Sequence, residues 1–176
     1  IVLPTAAVGP ILIAAGISTP RLLVVGAVLE AVAVCLFTAV FIWMFVRSDR
    51  RRVGFYGVLS GALGGTAGIA LGLSFAFYGA TAPLTTLHLR LNVLGFLGLT
   101  IVGLAYQFYP PSVGSFPGSS DRTALVSILA ICFGLLFHAV SLLGGFREFS
   151  PIGYLLSLAG SVLYAYLLVS AFMTRT

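Results

Sequence analysis

The chain has no lysine, and only four of its residues are acidic. Charged residues make up 7% of it, against about 25% in a soluble domain. So few charges exclude a globule dressed for water. All nine cations are arginines, and no aromatic residues interleave with them in the manner of a nucleic-acid surface. The motif His-Glu-x-x-His is absent, and no Ser–His–Asp set can be placed at one depth, so metalloprotease and hydrolase chemistry lack their parts. The two cysteines, Cys35 and Cys132, sit in the middle of apolar runs and read as buried free thiols rather than a disulfide. No cleavable signal pattern is present. The sequence opens at Ile1, already hydrophobic and without a methionine, which leads us to expect further residues upstream.

What is present is apolar length. Hydrophobic residues make up 60% of the chain, and the mean hydropathy is +1.15. A membrane-crossing helix needs about 20 apolar residues. Six candidate spans emerge: Leu3–Ile17, Leu22–Val46, Val53–Tyr78, Leu84–Tyr109, Thr123–Leu143 and Ile152–Met173. The expected fold is therefore an all-α integral membrane protein, a single bundle of about six transmembrane helices. Pro10 interrupts the first span, which reads either as kinked or as the end of a longer helix. Pro83 and Pro151 sit where a first helical turn tolerates proline, with Ser150 as cap of the last helix and Asp121 as cap of the fifth. Pro110-Pro111 stops the fourth span, and Gly114–Ser120 is the one substantial loop.

Arginine counting sets the expected orientation. Arg47, Arg50, Arg51, Arg52, Arg122 and Arg175 fall on one side if six spans alternate, and Arg21 and Arg147 on the other. The Arg47–Arg52 turn is then cytoplasmic. Trp43, Tyr56, Tyr106 and Tyr109 form an inner aromatic belt, and Phe77, Tyr78, Phe146 and Tyr154 an outer one. The third span repeats glycine at intervals of four, from Gly57 to Gly61 and from Gly64 through Gly68 to Gly72. Small residues at that period let helix backbones approach closely, so this helix should have a tightly packed neighbour.

Few polar groups remain inside the spans. They are Glu30, His88, Arg90 and His138, with the amides Asn92 and Gln107. At a rise of 1.5 Å per residue, His88 lies about 6 Å below the outer surface, His138 about 9 Å, and Glu30 and Asn92 roughly 12 Å. Ionisable groups at such depth mark sites by default. His88 and Asn92 share a helical face, continued by Gly95 and Leu99, while Arg90 points to nearly the opposite side. His138 shares its face with Gly134 and Ser141. A glycine one turn from each histidine leaves room for a flat group between the fourth and fifth helices. Haem b with His88 and His138 as axial ligands suits that arrangement. Arg90 would pair with a propionate or with Glu30, and Asn92 completes the cofactor-binding set. Copper, or zinc held by His88, His138 and Glu30, is the metal alternative. Each group also has a plain structural role open to it, as an interfacial, snorkelling or helix-joining side chain.

The stretch Thr86–Pro111, TLHLRLNVLGFLGLTIVGLAYQFYPP, adds a resemblance. Its His88, Asn92, Gly95-Phe96, Gly98, Thr100-Ile101, Gly103, Tyr106 and Pro110 resemble segments of small membrane proteins related to the haem–copper oxidase catalytic subunit and to NnrS-type haem-containing membrane proteins. The resemblance implies an all-helical membrane fold with histidines on neighbouring helices holding haem or copper. The sequence departs from it at Arg90, where such segments often carry a second histidine, and at Gln107, where a further histidine can follow the tyrosine. Two histidines cannot furnish two haems and a copper, so oxidase activity is not implied.

Three functions compete on this reading. The first is a haem- or metal-binding module for electron transfer or sensing. The second is a proton or ion relay lined by Glu30, Arg90 and the histidines. The third is a cofactor-free assembly subunit packed through its glycine-rich helix. The expected partners are membrane lipid and either further copies of the chain or other membrane subunits.

Overall fold

The computed structural model describes residues 2–49 and 52–173. Arg50, Arg51 and Arg175, which entered the orientation argument, lie outside them. Six helices carry the described residues, and no strand occurs among them. They are α1 (Val2–Gly16), α2 (Pro20–Arg47), α3 (Val53–Tyr78), α4 (Ala82–Phe108), α5 (Asp121–Gly144) and α6 (Phe149–Met173). The helices α2 to α6 are each long and apolar enough to cross a membrane; α1, at 15 residues, is shorter. The apolar surface is turned outward on every long helix, as at Val25, Leu63, Leu97, Leu129 and Leu155. A lipid surround takes such residues without cost, whereas water does not.

The helix limits follow local chemistry. Pro20 occupies the first turn of α2, where its missing N–H is harmless. Ser120, not Asp121, caps α5: its side chain accepts from the Thr123 amide at 3.2 Å, and Asp121 becomes the first helical residue. That placement sets an acid against the positive helix end. Ser150 likewise lies inside α6, which begins at Phe149, and does not cap it. Gly145 ends α5 in the left-handed region at φ 72°, the conformation a helix C-terminus commonly asks of glycine. Pro10 lies within the continuous helix α1.

Glycine lets these helices meet at backbone distance. Along α3 the contacts run Gly57 on Gly103, Gly61 on Thr100, Gly65 on Phe96, Gly68 on Asn92 and Gly72 on His88. The tight neighbour expected for α3 is thus α4 of the same chain. A Cβ on Gly26 would lie 2.6 Å from the Ile13 amide nitrogen, which welds α1 to α2. Gly134 and Gly153 play the same part between α5 and α6.

The middle of α4 departs from α-geometry. Leu91–Gly98 is π-helical, with the wider i→i+5 turn that takes up more residues per revolution. In a plain α-helix, residues four apart drift round the axis by about 40° at each step. The wider turns cancel that drift. His88, Asn92, Phe96 and Thr100 therefore all keep facing α3. Leu99, expected to continue the His88 face, is instead buried in the core with Ile128, Ile131, Leu135 and Leu167.

Tyr106 belongs to that core as well. It is 1% exposed, and its hydroxyl donates to Ser127 Oγ at 3.2 Å. It is not part of an interfacial belt. Cys35 and Cys132 are both free, but Cys35 faces outward rather than inward. Between α2 and α3, the buried Thr38 hydroxyl contacts the Ala62 carbonyl at 3.2 Å and the Thr66 hydroxyl at 2.9 Å. Thr66 keeps its own bond to Ala62, at 3.0 Å. Thr38→Val should therefore cost only about 1 kcal/mol, read as a small drop in the thermal midpoint of purified protein.

Candidate functional site

His88 sits one and a half turns into α4, with its ring against α3. Its Nδ1 lies 2.8 Å from the Gly68 carbonyl oxygen. A carbonyl can only accept, so in this contact Nδ1 carries the proton. Phe75 meets the ring edge-on, with centroids 5.4 Å apart. Asn92, one turn on, donates from Nδ2 to the His88 carbonyl oxygen at 2.8 Å, and its amide lies against Gly68. These two side chains fit because Gly68 and Gly72 have none. A Cβ on Gly72 would lie 2.8 Å from His88 Cε1.

Beside this pair lies a cavity of about 470 Å³ between the α1–α2 hairpin and the α3–α4 pair. Glu30, His88 and Asn92 line it, with Phe75, Phe96 and Ile13 among its apolar walls. A volume of this order is typical of small-molecule sites, as is an apolar lining with a few converging polar groups. Glu30 is carried by α2 at the level of Gly9 of α1. A Cβ on Gly9 would come within 2.7 Å of Glu30 Oε2. That oxygen is buried and has no hydrogen-bond partner among the described residues.

His138 is elsewhere. It is 2% exposed on α5, and its ring packs edge-on to Tyr154 of α6 at 4.4 Å. A Cβ on Gly153 would lie 2.9 Å from its Nδ1, which has no hydrogen-bond partner among the described residues. Arg90 joins this second group. Its guanidinium donates to the Tyr154 hydroxyl and lies 4.8 Å from the Tyr154 ring centroid. It pairs with Tyr154 and not with Glu30.

The structure thus brings Glu30, His88 and Asn92 together and sets Arg90 and His138 apart with Tyr154. The cause is helical geometry. Residues 88 and 90 on one helix point about 200° apart, so α4 presents its histidine to α3 and its arginine to α6. The expectation of two imidazoles flanking one flat group is not met: each ring is engaged by a different helix. No three of the described His, Cys, Asp and Glu residues converge in the manner of a metal site, so the set His88, His138 and Glu30 is not assembled.

Sequence reasoning missed Phe75, Phe96 and the Gly68 carbonyl. The period-four glycines opposite His88 were the available signal, since a glycine row on one helix marks where the next helix can bring a ring close. Gln107 lies against Gly54, at the far end of the same α3–α4 seam and away from the cavity. No family model matches this chain. No curated protein and no solved structure matches it either.

Proposed function

We propose that this chain is a membrane-embedded ligand-binding bundle whose site is the cavity between the α1–α2 hairpin and the α3–α4 pair. His88 is its anchoring donor. The observation that carries the reading is the meeting of Glu30, His88 and Asn92, from two distant stretches of sequence, around one apolar cavity. In hydrocarbon such groups are costly unless they serve a ligand or one another. The bundle is placed with the Arg47–Arg52 turn in the cytoplasm and His88 toward the outer leaflet, by the arginine bias. Lipid is the one partner this reading requires.

Haem b is the first occupant to test, in a single-imidazole form. The Gly68 carbonyl fixes the ring through Nδ1, which is how a backbone acceptor commonly orients a metal-binding histidine, and makes Nε2, with the Asn92 amide nitrogen 3.5 Å from it, the nitrogen that would take the iron. Haem on one imidazole would supply an open coordination position, which suits the sensing of a small ligand better than simple electron transfer. The side chains themselves hold and orient: Gly68 and Phe75 set the His88 ring, and Asn92 packs beneath it. The two-imidazole form has no support in the packing of His138. The assembly-subunit reading loses its main argument, since the glycines of α3 are occupied by α4.

One absorption spectrum of the purified protein tests the haem. A Soret band that disappears in His88→Ala and persists in His138→Ala would identify haem on His88 as the occupant. Loss in both variants would restore the paired-histidine arrangement. A colourless wild type removes haem and leaves the cavity to another ligand.

A further inference from the structure

The cavity contains one acid and no fixed positive charge to answer it. Glu30 is the one acidic residue among those lining it, and its buried Oε2 has no partner among the described residues. Arg90, the cation nearest in sequence to the site, is committed to Tyr154 on the other side of α4. On the remaining walls Phe75 and Phe96 contribute aromatic surface. A second cavity of about 170 Å³ is also lined by Glu30 and Phe96, together with Phe37. The carboxyl therefore stands between two apolar spaces.

A carboxyl group kept from water either holds a proton or needs a counter-charge, and aromatic rings attract cations, most strongly where water is excluded. We propose that the cavity binds lipophilic organic cations, with the Glu30 carboxylate as counter-charge and Phe75 and Phe96 as the aromatic wall. This rests on the cavity being the ligand site, and it names the chemical class of the ligand. A proton and the cation compete for the same carboxyl group, so binding releases a proton and tightens as pH rises. Among the residues lining the cavity, His88 is the one other ionisable group. Gly9, Pro10 and Ile13 come from α1, and Ile69, Gly72, Phe75 and Ala76 from α3; none of these titrates. From α4, Asn92 and Phe96 are neutral, and the Glu30→Gln comparison separates the carboxyl from the His88 imidazole in the pH dependence.

The test is calorimetric titration of the full chain in a nonionic detergent with tetraphenylphosphonium, and separately with uncharged triphenylphosphine. Wild type should prefer the phosphonium by about tenfold or more, with affinity rising with pH. Glu30→Gln should lose that preference while still binding the phosphine, and Glu30→Asp should keep it in part. If a monodisperse Glu30→Gln protein binds the phosphonium as wild type does, the charge pairing is overturned. If wild type takes both probes equally, the inference fails and the cavity reading stands. If it binds neither, both fail. A preparation whose cavity is already filled by haem on His88 overturns the inference as well.

Discussion

Replacing Gly57 by leucine leaves little folded protein. A Cβ at Gly57 would already lie 2.7 Å from the Gly103 Cα and 2.9 Å from its nitrogen, before any further leucine atom is added. The obstacle is backbone, so no rotamer change relieves it. The two helices must separate, and separation also opens the contacts of Gly61 on Thr100 and Gly54 on Gly103. Overpacking a core costs typically 1–3 kcal/mol and sometimes more; against backbone the upper end is expected. Set beside a total stability of about 5–15 kcal/mol, that is a large share. Size-exclusion profiles and thermal midpoints in detergent read the effect. A Gly57→Leu protein as monodisperse and as heat-resistant as wild type would show that α3 and α4 do not meet here.

Gly72→Ala, four turns along the same helix, gives the opposite outcome: a stable protein with an impaired site. The added Cβ would approach His88 Cε1 at 2.8 Å, and this neighbour is the end of a side chain. The ring can turn away, and in turning it gives up the Gly68 carbonyl. The thermal midpoint should stay within about 4 °C of wild type. Nitrogen NMR of the His88 ring should lose the signature of a proton fixed on Nδ1. Occupancy of the cavity, by haem or by phosphonium, should fall about tenfold, the equivalent of about 1.4 kcal/mol. An unchanged ring spectrum with unchanged occupancy would mean that Gly72 does not bear on His88. Taken together, the two glycines separate packing from ligand holding within one helix.

The helices were largely legible because apolar length is additive along the chain. The span Val53–Tyr78 emerges with the bounds α3 has, and α2, α5 and α6 differ from expectation by two or three residues at their starts. Those starts are set by caps, and a choice between Ser120 and Asp121 depends on one hydrogen bond that composition does not encode. Of the site, Glu30, His88 and Asn92 stood out as polar residues in apolar runs. Their common cavity did not, because it depends on α1 and α2 folding back over α3 and α4. Depth was a poor guide to partnership. His88 and His138 come out at similar depths by counting residues, yet depth says nothing of azimuth, and azimuth decides which helix a ring meets. Tyr106 was misplaced for a related reason: its position near a helix end suggests a belt, while its facing helix, α5, encloses it.

The underwound stretch Leu91–Gly98 makes the fourth helix sensitive to its own length. Were one residue lost there, everything on one side of the gap would swing by about 100° relative to the other. His88 could stay on Gly68 only by giving up the seat of Gly103 on Gly57. Lineages of this chain should therefore accept exchanges of side chain within those eight residues far more readily than insertions or deletions, and a change in its length would mark a protein whose pocket has been rebuilt.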